Sequence, residues 1–213
     1  MWSDFLYIIR GLPWTLALMF GSLFIGAVLG LPLMMAGQSR FLPVRLLVIV
    51  LFSIVRAVPQ IVWIFIIFFG IGTALLPMSP FAACLIGFGA IAAVNMAEIY
   101  RGGLISIHHG QVEAAKALNL SRWHTFHDVV WPQMFRVALP ASATYAIGLF
   151  KDTAIASTIG VPEILYLATR LSQTTYRGLA VFGMVGLIYI LISLPVAMLT
   201  RIVDRKIRAK VAR

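Results

Sequence analysis

Three stretches of this 213-residue chain contain no Asp, Glu, Lys or Arg: residues 11–39 (29 residues), 57–97 (41 residues) and 178–200 (23 residues). A helix needs about 20 mostly apolar residues to cross a bilayer. These runs supply four crossings, because the longest is broken at Leu76-Pro77-Met78-Ser79-Pro80, where closely spaced prolines predict a turn. Residues 137–162 are apolar except for Lys151-Asp152 near the middle, and are expected to form a fifth span with an embedded polar pair. The expected spans are 12–36, 46–75, 81–101, 137–160 and 178–201. The second is too long for one straight crossing, so it tilts or begins as an interfacial turn before Arg56.

Composition agrees. The chain is 61% hydrophobic and 11% charged, where a soluble domain is about half apolar and about a quarter charged. This excludes a disordered chain, a disulfide scaffold and a soluble enzyme. Cys84, the one cysteine, cannot form an internal disulfide. The first apolar run is far longer than the roughly 7–15-residue core of a signal peptide and follows an acidic start at Asp4, so its retention is expected. The fold class is all-α integral membrane, one domain over residues 1–213.

The net charge is +10, from 17 Lys and Arg against 7 Asp and Glu. Their placement sets orientation by the excess of cations on the cytoplasmic side. With the C-terminus inside, the cytoplasm holds Arg40, Arg45, Arg101, Lys116, Arg122, Arg136, Arg201, Arg205, Lys206, Arg208, Lys210 and Arg213. The outside keeps only Arg10, Arg170 and Arg177, so the N-terminus is expected outside. The basic tail then reads as an orientation signal touching anionic lipid, not as a nucleic-acid site.

Residues 102–136 form the longest cytoplasmic stretch. An Ala-rich helix is predicted over 111–118. Asn119 suits the left-handed position that ends it, Ser121 can cap a second helix, and Pro132 falls near that helix's end or at the start of the next. Two short helices beside lipid-embedded spans are expected to pack on a partner protein.

Here the residues become familiar. Glu113-Ala114-Ala115-Lys116-Ala117-Leu118, then Ser121 and Trp131-Pro132-Gln133, resemble the EAA loop of ABC importer permeases. Arg56-Ala57-Val58-Pro59, Ala97-Glu98-Ile99-Tyr100-Arg101-Gly102-Gly103 and Lys151-Asp152-Thr153 resemble the polar-amino-acid (His/Glu/Gln/Arg-type) branch, in order over nearly the whole chain. The departures are Asn119 for the usual Gly, Trp131 for Leu, His108-His109-Gly110-Gln111 for a Pro-Lys-Gly-Gln entry, and Asn95 for a frequent Tyr. The resemblance implies a type I importer permease in a bacterial inner membrane, paired with an identical or paralogous permease. It implies a cytoplasmic ATPase dimer that carries ATP and Mg, with no cofactor on this chain. It also implies an extracytoplasmic solute-binding protein and a polar amino acid as cargo. The loop bearing Gly110, Glu113, Ala114, Ala115, Leu118, Asn119 and Ser121 would couple to the ATPase.

Ionisable groups inside spans are costly and default to function. Asp152 suits the ammonium of an amino acid and Lys151 its carboxylate, and adjacent helical positions about 100° apart keep the two from pairing with each other. Thr153 and Asn95 join them as path candidates. Glu98 and Arg101 share a helix face, and an Arg56–Glu98 ion pair is expected at a cytoplasmic gate. Gly26 and Gly30 form a GxxxG pattern that permits close helix approach. His108, His109, His124 and His127 read as loop surface, since only the last two share a face and nothing completes a metal set. The chain has no Walker loop, nucleophile elbow or zinc-protease motif, which argues against ATP binding and against an intramembrane enzyme. A passive channel or assembly protein is the competing function, and would need no docking loop.

Overall fold

The structure, a computed structural model, describes residues 1–72 and 76–211, with side chains described as far as residue 202. The end of the second expected span (73–75), the side chains of Arg205, Lys206, Arg208 and Lys210, and Arg213 lie outside the described residues. Among the described residues every regular element is helical. Helix α1 (Trp2–Ile9) leads into α2 (Leu12–Gly37). Next come α3 (Leu42–Ala57) and α4 (Gln60–Phe65), the latter prolonged by a π-helical segment, Ile66–Ile71. Helix α5 (Pro80–Ile105) is followed by the loop helices α6 (His109–Ala117) and α7 (Arg122–His124). A π segment, Thr125–Val130, feeds α8 (Trp131–Asp152), which passes into a 3₁₀ turn, Thr153–Ile159. Helices α9 (Ile164–Thr175) and α10 (Gly178–Val211) complete the chain.

Among the described residues three helices are long and apolar enough to cross a membrane: Trp2–Gly37, Pro80–Ile105 and Gly178–Ile202. A fourth crossing follows if α3 and α4 are taken as one broken span. Helix α8, at 22 residues, has the length of a span. Arg136, Lys151 and Asp152, with Gln133, Ser142 and Thr144, make it more polar than the others.

The second expected span is neither a tilted rod nor turned before Arg56. The chain bends by 100° between α3 and α4. A residue before proline is pushed out of the helical region, and Val58 accordingly takes φ −100°, ψ 130°. The corner is held by the Trp63 indole N–H, which donates to the Val55 carbonyl at 3.2 Å. The turn at residues 76–80 is present, and Ser79 caps α5 by accepting from the Ala82 N–H, with Pro80 in the first turn.

The core is built on the crossing of α2 and α5. A Cβ on Gly26 would sit 2.6 Å from the Ala92 Cβ and 2.8 Å from its carbonyl carbon. One on Gly30 would sit 2.8 Å from the Met96 Cβ and 2.9 Å from the Ala97 nitrogen. The GxxxG pattern is thus spent on backbone approach within the chain. Leu18, Met19, Ile64, Cys84, Phe88 and Phe150 pack around it. Elsewhere large apolar residues face outward, among them Phe20, Phe24, Leu47, Ile190 and Leu191, as expected where lipid is the solvent. Gly26→Val is expected to force α2 off α5, costing about 3 kcal/mol or more, read as a fall in the melting temperature of the detergent-solubilised protein.

Candidate functional site

The α3–α4 break positions the first group. Gln60, just past Pro59, donates from Nε2 to Asp152 Oδ2 at 3.1 Å across a sequence gap of 92 residues. Asp152 was expected near the middle of a helical span; it is the last residue of α8, where the helix tightens into the 3₁₀ turn. The Thr153 hydroxyl supports this change by donating to the Phe150 carbonyl at 2.7 Å, so it is buried and already engaged. Tyr145, two turns back on α8, lies near Asn95 and in the field of Asp152. Asn95 donates to the Ile91 carbonyl of its own helix at 2.9 Å. The fold therefore gathers Asp152, Asn95, Tyr145 and Gln60, and leaves Lys151 exposed. Gln60 and Tyr145 were missed in sequence because neither is ionised near neutral pH and their partners are remote.

The second group is an ionic cluster. Arg101 binds Glu98 with both prongs, Nε to Oε1 at 3.1 Å and Nη2 to Oε2 at 2.7 Å. Arg56 stands farther off, with Nη1 3.9 Å from Glu98 Oε2. The expected Arg56–Glu98 pair is thus secondary to the pair within α5, because a three-residue helical spacing suits a bidentate guanidinium.

The third group is the loop. Helix α6 begins at His109, two residues earlier than predicted, because the His108 Nδ1 caps it by accepting from the Gly110 N–H at 3.1 Å. Glu113 is thereby moved out of the first turn, which weakens the helix-end argument for its charge. Asn119 takes φ 54° and Ser121 accepts from the His124 N–H, as the sequence predicts. Pro132 cannot donate to the carbonyl four residues back, and the wider π turn of Thr125–Val130 directly precedes it. The expectation that α6 has nothing of its own chain to pack on fails. Ala115 is buried, α6 lies against the π segment, and Gln133 donates to the Gln111 side chain at 3.3 Å. What stays open is the other face: Glu113 and Ala114, with Leu118 at 74% and Trp123 at 67% exposure.

The four histidines do not gather, and no group of three or more potential ligands could hold a metal among the described residues. His124 and His127 flank Asp128 through their Nδ1 atoms, at 3.0 and 2.7 Å. The hydrogen bonds from His127 and then His124 hold the Asp128 carboxyl below its usual range.

One buried acid carried no signal in the sequence. Glu163, between the fourth and fifth expected spans, is fully buried. Its Oε1 caps α9 by accepting from the Tyr166 N–H at 2.6 Å, while Oε2 has no hydrogen-bond partner among the described residues. Burial pushes its carboxyl up from 4.5 to about 7, partly offset by hydrogen bonds from the Leu165 and Tyr166 backbone. The folded state thus holds this proton more tightly than the unfolded chain does. Stability from Glu163 is complete below about pH 4.5 and is lost as pH rises through about 7. Melting temperature should fall across that window, and Glu163→Gln should flatten the fall, recovering about 2–3 kcal/mol at pH 8.

An apolar bundle with an exposed two-helix loop, a broken helix and a half-buried carboxylate facing it fits a membrane transport subunit. The chain matches the family model described as binding-protein-dependent transport system inner membrane component over residues 26–209, and belongs to that family. It is 35% identical over 204 residues to the probable amino-acid ABC transporter permease protein YckA of Bacillus subtilis, covering 96% of this chain and 90% of that one. It is 32% identical to the octopine transport system permease protein OccM of Rhizobium radiobacter, covering 96% and 87%. Among solved structures it is similar to an amino acid ABC transporter with histidines, at TM-score 0.87 and 27% identity over 94% of each chain. The chain is a permease subunit and not itself an enzyme.

Proposed function

We propose that this chain forms the membrane half of an ATP-driven importer for polar amino acids, in a bacterial inner membrane. It crosses five times, with α3–α4 as one broken span and α8 as the fourth, N-terminus outside and C-terminus inside. A second permease, identical or paralogous, completes the path, an extracytoplasmic binding protein delivers the solute, and ATP and Mg act on a cytoplasmic ATPase dimer.

The observation that carries this reading is the built loop. Residues 109–131 are fixed by caps, by the buried Ala115 and by the Gln111–Gln133 contact, yet present Leu118 and Trp123 outward. A passive channel has no use for a rigid apolar knob outside the bilayer. Asp152, oriented by Gln60, is the receptor for the solute ammonium on its way through. Glu98, Arg101 and Arg56 act at the cytoplasmic gate.

Two measurements test the reading. A reporter placed in the 77–80 turn should be active only in its extracytoplasmic form, and one fused after residue 213 only in its cytoplasmic form; the reverse pattern removes the orientation. In cells expressing the complete system, uptake of a labelled amino acid should be competed by polar amino acids such as L-arginine or L-glutamine. Competition by sugars or peptides alone would remove the solute class.

A further inference from the structure

Beside the ionic cluster lies a cavity of about 410 Å³ between α2, α3 and α5. Arg45, Val48, Phe52 and Arg56 line it from one face of α3, at spacings of three and four residues. Arg101 and Glu98 face them from α5. Three guanidiniums thus meet one carboxylate. Both oxygens of that carboxylate are taken by Arg101, Arg56 reaches it only at 3.9 Å, and Arg45 is exposed with no ion-pair partner among the described residues. The same cavity has apolar walls in the exposed Ile49 and the half-buried Phe52.

We infer that this cavity binds the phosphate of an anionic glycerophospholipid, with Arg45 on the headgroup beside the Arg56–Glu98 pair and the start of an acyl chain along Ile49 and Phe52. A free phosphate would satisfy the arginines and leave the apolar wall wet, whereas an amphiphile satisfies both. By the charge distribution these arginines lie at the cytoplasmic leaflet, where anionic lipids concentrate. Each cation near that surface strengthens anionic-lipid binding by about fivefold. The inference is independent of which solute is carried.

The test uses the intact permease–ATPase complex in nanodiscs containing phosphatidylglycerol and phosphatidylcholine, with retained lipid counted by native mass spectrometry. The wild type should retain phosphatidylglycerol preferentially. Arg45→Gln should cut the preference by about fivefold, and Arg45→Lys should keep most of it, with ATPase retention unchanged in both. Inorganic phosphate should not displace the lipid. Equal retention of the two lipids, or an Arg45→Gln complex with undiminished preference, overturns the site. Displacement by inorganic phosphate makes it a soluble-anion site, and cross-linking of Arg45→Cys to the second permease makes it a subunit interface; either result removes the lipid.

Discussion

Leu118→Asp is expected to strip the ATPase subunit from the purified permease while leaving the membrane bundle intact. Leu118 ends α6 with its side chain 74% exposed, next to Asn119 in the left-handed conformation that turns the chain away. It lies outside the spans and is mostly exposed, so a charge there does not disturb insertion. A carboxylate buried in a partner's apolar groove without a cation costs several kcal/mol, enough to lower affinity by a factor of about a hundred or more. Ala114→Trp on the same exposed face should act sterically in the same direction. Ala115→Trp is a different experiment. Ala115 is buried against its own loop, so that substitution breaks the loop before it reaches any partner. Retention of the ATPase on sizing, with solute-stimulated ATP turnover, is the measurement. Normal retention by both Leu118→Asp and Ala114→Trp would place docking elsewhere.

Asp152→Asn should abolish most transport while the complex assembles and hydrolyses ATP. The change keeps the side-chain volume, and an amide oxygen can still accept from Gln60. What is lost is the charge that meets an ammonium. Hydrogen bonds to charged groups contribute about 1.5–3 kcal/mol, which corresponds to a loss of roughly 10- to 100-fold in uptake at limiting solute. Lys151→Gln, at the exposed neighbouring position, should change uptake far less. Equal effects of the two substitutions would mean that Asp152 is not singled out by the path, and wild-type uptake by Asp152→Asn would make its carboxylate dispensable.

The charge-free runs were legible because a bilayer imposes both length and composition on what crosses it. Residues 11–39 and 178–200 fall on α2 and α10 with small shifts at the ends, and residues 57–97 are shared between α4 with its π segment and α5. Local chemistry was legible too: Ser121 as a cap and Asn119 at positive φ depend on residues no more than three positions away. The 100° corner was not: the sequence suggests a tilt or a turn before Arg56, and the break falls at Val58-Pro59. Proline says where a helix stops and leaves the new direction to packing, here of Ile64 into the core and Trp63 back onto Val55. His108 was missed as a cap because histidine rarely serves as one, and that single hydrogen bond shifted the start of α6 and moved Glu113 out of the first turn. In the candidate site, Asp152 was legible from the cost of a charge within an apolar run. Gln60 was not, because its meaning comes from a partner 92 residues away. Glu163 was not singled out in the sequence, because its burial comes from remote contacts: Gly11 packs on its backbone and the Ile164 N–H donates to the Thr15 hydroxyl at 3.4 Å.

The most direct test of the central claim is solute accumulation in proteoliposomes that hold this permease with its ATPase and second permease, oriented to import, with the binding protein outside and ATP inside. The account predicts that a labelled polar amino acid accumulates above its external concentration, and that accumulation disappears without ATP, without the binding protein, or with Leu118→Asp. Solute that equilibrates across the membrane at the same rate with and without ATP would contradict it, and would make the chain a passive channel.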